Sequence, residues 1–227
     1  MKNILKGMPI AVKIFALATS MLVLQAVLSY VTYDRINQVT QKLVDITDYL
    51  VPIGDAIVEA NLETTERKIY MERIWRAYEK TSQNKEQLQQ ELDIWKNKGL
   101  LSDEAIDRAI QLSNKGIAHV STPEDIVAFA RLQPALENLK TGHQEHRELA
   151  LEILHLLQRG DRPAAHLLEK ELEKNSQTLQ KHAQTILNDL EAFLGRSIQT
   201  SITHENQALQ LSWILVGVAT LVGIIFA

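Results

Sequence analysis

Two long uncharged apolar segments, one near each end, constrain the fold of this chain more than any other feature. Residues 14–33 form a run of 20 uncharged, mostly apolar residues, and the last 22 residues, 206–227, also carry no charge. At about 1.5 Å per residue, a helix of roughly 20 residues crosses the hydrocarbon layer of a membrane, which is about 30 Å thick. The sequence therefore predicts two transmembrane helices, at residues 14–33 and 210–227.

The charges that flank the first predicted span set its orientation. Three lysines precede it, and no acidic residue occurs before Asp34. Positively charged flanks stay in the cytoplasm, so residues 1–13 are expected inside the cell and residues 34–209 outside. This predicts a multi-pass protein of the bacterial inner membrane with its central segment in the periplasm. A cleaved signal peptide is the alternative interpretation, but the run is long and lacks a clear small-x-small cleavage site before Tyr30.

The composition of the central segment favours helices and disfavours nucleic acid as a partner. The chain has 24 basic and 28 acidic residues, and setting the three N-terminal lysines aside leaves 21 basic against 28 acidic. Such an acidic balance gives no reason to bind nucleic acid. The chain has no cysteine, which excludes disulfides and cysteine-ligated metal centres. Leu, Glu, Gln, Lys and Ala dominate without β-branched alternation, so we predict an all-α fold.

Two strong turn signals divide the central segment. Thr122-Pro123-Glu124-Asp125 combines an N-cap residue, a proline at the first helical position and acidic residues in the first turn. Gly160-Asp161 combines a helix stop with a new N-cap. The helices expected from these signals and the weaker ones below form an antiparallel four-helix bundle flanked by the two spans, and they cover residues 33–81, 85–118, 122–159 and 161–209.

Weaker signals predict further breaks within this bundle. A polar break is expected at residues 81–84, and an interruption of the second helix at Asn97-Lys98-Gly99. Gly116 is expected to end that helix. Pro52 and Pro134 are expected to kink theirs.

This arrangement of span, helical segment and span resembles the periplasmic four-helix-bundle sensor domains of bacterial transmembrane receptors, including methyl-accepting chemotaxis proteins. The sequence Asp-Tyr-Leu-Val-Pro-Ile at residues 48–53 and Leu-Leu-Gln-Arg-Gly-Asp at 156–161 are local likenesses. The resemblance implies a homodimer that senses a small molecule or ion and signals through the second span. It also implies a HAMP region and output domains beyond residue 227. Similar modules precede histidine kinases and nucleotide cyclases, which are the alternative outputs.

Three predicted helices have polar gaps in their apolar seams. The third helix has His143 and His146, the fourth has Asn175 and His182, and the first has six residues without an apolar side chain at 63–68. Because the third and fourth helices pair about Gly160, the two histidines should face residues 175–178. The first helix should face the same residues. The gaps are therefore expected at one level of the bundle, where buried polar groups must pair, bind something or stay hydrated.

The polar gaps admit two interpretations. The first is a metal or pH-sensing site, since imidazoles and carboxylates on facing helices bind metal ions and histidine titrates near neutral pH. Its candidate residues are Glu63, Glu66, His143, His146 and His182. The second is a hydrogen-bonded layer that fixes helix register, or a hydrated seam at a dimer interface. Neither interpretation requires a cofactor. If the gaps do bind one, a metal ion or a haem is expected.

Other side chains suggest a binding site for an acidic ligand. Arg67, Arg73 and Arg76 could hold a carboxylate through paired hydrogen bonds, although long charged side chains also occur on ordinary hydrated faces. The chain has no Gly-rich phosphate loop, nucleophile elbow or kinase signature. We therefore expect no enzyme activity in this region. A metal-dependent oxidase and a structural membrane protein are the remaining alternatives.

Overall fold

The computed structural model describes residues 9–79, 85–120 and 122–226, apart from the side chain of Lys13 and several side chains beyond residue 200. All secondary structure in these residues is helical, without a strand, which confirms the predicted all-α class. A π-helical turn, Ile46–Leu50, separates the first two helices. The helices are α1 (Ile10–Asp45), α2 (Val51–Glu79), α3 (Lys85–His119), α4 (Pro123–Gln158) and α5 (Arg162–Phe226).

The chain divides into two units. The first unit takes Met1–Val44 and Gly195–Ala227, and the second takes Asp45–Leu194. The second unit holds α2, α3, α4 and the first half of α5. It is shorter at both ends than the predicted central segment of residues 34–209.

One helix among the described residues is long and apolar enough to cross a membrane. It is the helical run Ile10–Glu79, and none of the 18 residues in its most apolar window is buried. The first predicted span is thus a candidate membrane helix near the N-terminus. The second, at residues 210–227, is helical to Phe226, but many of its side chains lie outside the described part, so it stays a prediction. The two lysines before residue 9 also lie outside the described residues.

The strong turn signals are confirmed. The hydroxyl of Thr122 accepts a hydrogen bond from the backbone N–H of Asp125 at 3.2 Å, with Pro123 as the first helical residue. Gly160 has a φ of 76°, a left-handed conformation that a residue without Cβ adopts at little cost. A carboxylate oxygen of Asp161 accepts from the N–H of Ala164 at 3.3 Å, which caps α5. The weaker break expected at residues 81–84 lies outside the described residues.

The predictions for two glycines of α3 were wrong. The helix runs from Lys85 to His119 without the interruption expected at Asn97-Lys98-Gly99, and it passes Gly116 before it ends. Both glycines are buried, and each lies against a large side chain of another helix. A Cβ at Gly99 would lie 3.0 Å from Cζ of Arg67, and one at Gly116 would lie 2.6 Å from Cε1 of Phe129. These glycines allow close packing and do not stop the helix.

The two internal prolines lie in different local structures. Helix α4 continues through Pro134. Pro52 follows the π-helical turn, in which the N–H of Val51 donates to the carbonyl of Ile46. A proline has no N–H to offer the preceding turn, and a widened π turn is a common accompaniment of such a lost bond. The kinks expected at both prolines stay predictions.

The second unit has two apolar cores, and α2, α3, α4 and α5 all contribute to each. We call the first the aliphatic core. It contains Leu50, Ile53, Ala56, Ile57, Ala60, Ala105, Ile106, Ala109, Ile110, Val120, Phe129, Leu132, Leu136, Leu139, Leu179, Ala183, Ile186, Leu190 and Phe193. We call the second the tryptophan core. It contains Met71, Ile74, Trp75, Leu92, Trp95, Ala150, Ile153, Leu154, Leu157 and Ala165.

Candidate functional site

A layer of buried polar side chains separates the two cores. Along α2, α3 and α4 these residues fall between the last member of one core and the first member of the other. Ser176 of α5 lines cavities together with members from both α2 and α4. The polar gaps of α2 and α4 therefore meet at one level beside Ser176 of α5, as predicted for these two helices. We call this set the polar layer, and it consists of Thr64, Arg67, Ser102, His143 and His146.

One half of the polar layer is a hydrogen-bonded chain that joins three helices. The hydroxyl of Ser102 lies 3.1 Å from the hydroxyl of Thr64 and 3.2 Å from Nδ1 of His143. Thr64 also donates to the carbonyl of Ala60 at 2.7 Å. Because buried polar groups are stable only when they are paired, this chain fixes the register of α2, α3 and α4. Ser102 is only 1% exposed, which keeps its hydroxyl out of reach of a substrate.

The other half of the polar layer is built around Arg67. Its side chain is only 4% exposed, yet it makes no hydrogen bond or ion pair with any described residue, and Nε is buried without a partner. The guanidinium lies over the indole ring of Trp95, with Cζ 4.1 Å from the ring centroid. Burial lowers the pKa of Arg67 to about 10, an effect that nearby Asp103 opposes and Arg147 reinforces. Arg67 is therefore a charged group at pH 7 that packs on an aromatic face and forms no ion pair with a described acidic residue.

The two histidines of the polar layer are neutral at pH 7. Burial is the main cause that lowers the pKa of His143 to about 4, and the positive charge of Arg67 contributes. Burial also lowers the pKa of His146 to about 4, again with Arg67 contributing, while Glu173 acts in the opposite direction. These residues would gain charge only well below neutral pH, and protonation would work against folding.

Two cavities border the polar layer. The larger, of about 390 Å³, is lined by Arg67 and His146 together with Trp75 and other residues of the tryptophan core. The smaller, of about 140 Å³, is lined by Thr64, His143 and residues of α5. The larger volume falls within the roughly 300–1,000 Å³ typical of sites for small molecules.

The structure does not bring the predicted acidic residues to the histidines. Glu63 and Glu66 both pair with Lys98 of α3, with N–O distances of 3.0 and 2.6 Å. Hydrogen bonds to Glu66 and Glu63 raise the pKa of Lys98. These two carboxylates are thus engaged between α2 and α3, and neither contacts His143 or His146.

His182 also lies apart from the other predicted residues. Its side chain is exposed, whereas the neighbouring Ala183 is buried. The strict seven-residue spacing predicted His182 inside, but an α-helix has 3.6 residues per turn, and its buried face drifts by one position here. Among the residues that the structure describes, no three His, Asp or Glu side chains are grouped to hold a metal ion.

The three predicted arginines do not converge. Arg73 and Arg76 are exposed, and they pair with Glu91 at 3.8 Å and Glu72 at 3.7 Å. Arg67 alone lies in the interior and reaches a cavity. The sequence predicted Arg67 as a ligand-binding candidate, but it did not predict that Arg67 lies apart from Arg73 and Arg76.

The sequence analysis missed the contribution of α3, which supplies Trp95, Lys98 and Ser102. The signal was present as a seven-residue repeat of buried positions, from Leu92 through Trp95, Gly99, Ser102 and Ile106. Reading Gly99 as a helix stop interrupted this repeat. Counting small residues as members of the seam would have recovered it.

Comparison of the chain with protein-family models, with curated proteins and with solved structures finds no match.

Proposed function

We propose that this chain is the ligand-sensing and transmembrane signalling region of a bacterial receptor of the methyl-accepting chemotaxis type. In this proposal it works as a homodimer in the inner membrane, with residues 34–209 in the periplasm. The observation that carries the proposal is the helical run Ile10–Glu79. It begins with the candidate membrane span and ends beyond the polar layer, so one helical run, with a π-helical turn at Ile46–Leu50, joins the candidate span to a cavity.

Contacts between α2 and α5 support a role for both helices in signalling. Lys68 of α2 and Glu173 of α5 form an ion pair at 2.6 Å, and both line the larger cavity. A ligand in this cavity would contact both helices and would favour one relative position of the two. A shift of about an ångström between packed helices is a common form of such switching. Because α5 continues without a break to Phe226, that shift would reach the second predicted span.

Ion pairs between neighbouring helices support a four-helix bundle. Glu59 of α2 pairs with Arg108 of α3, and Asp107 of α3 pairs with Lys140 of α4. Together with the pair between Lys68 and Glu173, these contacts make α2 the neighbour of both α3 and α5. A Cβ at Gly142 of α4 would lie 2.7 Å from Cδ2 of Leu179 of α5, so these two helices are neighbours as well, and this order of helices is the ordinary bundle arrangement.

Hydroxyl groups in the apolar segments are compatible with lipid, and threonines of the central helices make the same bond. Thr19 donates to the carbonyl of Phe15 and Thr220 donates to that of Val216, at 2.8 and 2.9 Å. A hydroxyl in the hydrocarbon layer finds no water, so a bond to its own helix removes the cost of burying it.

Reporter fusions test the topology. We expect alkaline phosphatase inserted after Val120, in the turn between α3 and α4, to be active, and green fluorescent protein at the same site to be dark. The same reporters placed ahead of Ile10 should give the opposite pattern. Phosphatase inactivity with fluorescence at Val120 would contradict the orientation.

Moving the interfacial tryptophan of the second predicted span by one position tests whether α5 transmits a signal. Trp213 is exposed near the start of the second predicted span, where an indole favours the membrane interface. In a fusion of residues 1–227 to the HAMP and kinase-control region of a chemoreceptor, Trp213→Ser combined with Ser212→Trp should reset kinase activity by moving α5. Trp213→Tyr keeps an interfacial ring and is the matched control, with activity near that of the parent. Equal activity in all three would favour a structural membrane protein.

A further inference from the structure

We propose that the cavity beside Arg67 binds a small monocarboxylate with an apolar or aromatic body, and that the Arg67 guanidinium holds the carboxylate. The ligand enters between α2, α4 and α5, inside a single chain. As a statement about the signal that the receptor detects, this inference rests on the proposed function.

One buried cation at the cavity, Arg67, has no acidic partner among the described residues. The three acidic residues that line it each have a partner: Glu173 has Lys68 at 2.6 Å, Glu169 has His166 at 2.8 Å and Glu72 has Arg76 at 3.7 Å. Arg67 has none among the described residues. Lys170 also borders the cavity, but its side chain is exposed and can keep its water. A buried charge without a partner is costly, and an anion in the cavity would remove that cost.

The paired acidic residues restrict the anion to a single charge. Because Glu72, Glu169 and Glu173 already have partners, Arg67 is the one buried positive charge left at the cavity, and a singly charged anion matches it whereas a doubly charged phosphate exceeds it. A planar carboxylate accepts two parallel hydrogen bonds from an arginine, which suits a single guanidinium. His146 makes no hydrogen bond to a described residue and lines the same cavity, so its neutral ring can donate a further bond to the carboxylate.

The remaining walls fit an apolar body. Met71, Trp75, Ile153 and Leu172 also line the cavity. Trp75 presents a large flat surface, and Met71 adapts to different shapes. One face of Trp95 is already covered by the Arg67 guanidinium, and the Trp75 ring contacts the His166 ring with centroids 5.0 Å apart. The ring of a ligand would therefore pack against the remaining surface of Trp75.

Calorimetric titration of the full chain in detergent tests the proposal. The probes are phenylacetate, indole-3-acetate and hexanoate, each paired with its uncharged amide, and inorganic phosphate. We expect at least one carboxylate to bind roughly tenfold to a hundredfold more tightly than its amide. A hydrogen bond to a charged group contributes a binding free energy of that size. Phosphate should not bind. The proposal is overturned if no carboxylate binds at millimolar concentration, if an amide binds as well as its acid, or if phosphate binds best.

Two matched variants locate the binding site. Arg67→Gln should abolish the preference for the acid over the amide. Arg73→Gln changes an exposed arginine of the same helix and should leave binding unchanged. Arg67→Gln should also raise the melting temperature of the unliganded protein, because it removes an unpaired buried charge. Unchanged binding in Arg67→Gln, or loss in Arg73→Gln, would place the ligand elsewhere.

The two proposals can fail separately. If a carboxylate binds at Arg67 but the Trp213 exchange leaves kinase activity unchanged, the site stands and the receptor function falls. If that exchange resets the kinase but no carboxylate binds, the receptor function stands and this site falls.

Discussion

The aliphatic core and the tryptophan core use the same four helices in different ways. In the aliphatic core every buried member is apolar, and Phe129 packs edge-on against Tyr49 and Phe193, with ring centroids 6.4 and 6.0 Å away. At the edge of the tryptophan core a buried arginine covers an indole ring, and a cavity of about 390 Å³ remains open beside it. Apolar side chains pack closely without needing directional partners, whereas a buried guanidinium is stable only when hydrogen-bond acceptors or an anion surround it. The first region is therefore built for stability, and the second retains room and charge for a ligand.

The largest expected effect comes from opening a space in the aliphatic core. Phe129→Ala removes a fully buried ring and should cost about 3–5 kcal/mol of unfolding free energy. Met71→Ala is the matched change in the tryptophan core, and it should cost less because Met71 already borders a cavity. Thermal melts of the full chain in detergent measure both, with roughly 2–4 °C for each kcal/mol. Equal losses for the two variants would contradict the contrast between the cores.

The pH dependence of stability sharpens the contrast, because among the described side chains the buried histidines are those of the polar layer. Burial holds the pKa of His143 and His146 near 4, while each titrates near 6.5 in the unfolded chain. The unfolded chain therefore binds more protons between pH 6.5 and 4, so stability is full above pH 6.5 and falls as the pH approaches 4. A difference of this size is worth about 3 kcal/mol for one histidine. Arg67 and Lys68 reinforce the effect, and Glu173 opposes it.

Melting temperatures at pH 7.5, 5.5 and 4.5 measure this dependence. His143→Gln combined with His146→Gln should remove most of the decrease, while His182→Gln changes an exposed histidine and should not. Glu173 has its pKa lowered by Lys68, so its own contribution is lost only at still lower pH. An equally steep decrease in the double variant would show that the layer histidines do not control acid stability.

The sequence predicted well those features that depend on one local cause. The cap at Thr122, the turn at Gly160 and the common level of the polar gaps follow from short-range chemistry or from residue counting along helices. The partners of the polar groups depend on side-chain direction in three dimensions. Glu63 was expected near the histidines and instead faces Lys98, and a drift of one position places His182 outside.

Glycine shows most clearly what local reasoning misses. Gly99, Gly116 and Gly160 are the same residue type in two roles, and of the three only Gly160 has the positive φ that ends a helix. The other two allow a side chain of another helix to approach, and that neighbour is distant in the sequence. Their roles could not be predicted without knowing that Arg67 and Phe129 lie opposite them.

The smallest expected effects come from substitutions of these two glycines of α3. Gly116 lies beside the aliphatic core and Gly99 beside Arg67, so the two substitutions compare these regions within one helix. Gly99→Ala and Gly116→Ala gain the same helix propensity, about 1 kcal/mol. At Gly116 the new Cβ would lie 2.6 Å from a ring that Tyr49 and Phe193 hold in place, so we expect a net loss of about 1–3 kcal/mol. At Gly99 the new Cβ would lie 3.0 Å from the end of the Arg67 side chain.

The outcome at Gly99 depends on whether that arginine can move. The cavity beside Arg67 gives its guanidinium space to shift by a few tenths of an ångström, so Gly99→Ala should change stability by less than about 1 kcal/mol. It should nevertheless weaken carboxylate binding, because a displaced guanidinium no longer holds the paired geometry. Melting temperature and titration of the same sample separate the two effects. A large loss of stability in Gly99→Ala would show that Arg67 is held as rigidly as Phe129, and the two regions would then not differ in the way argued above.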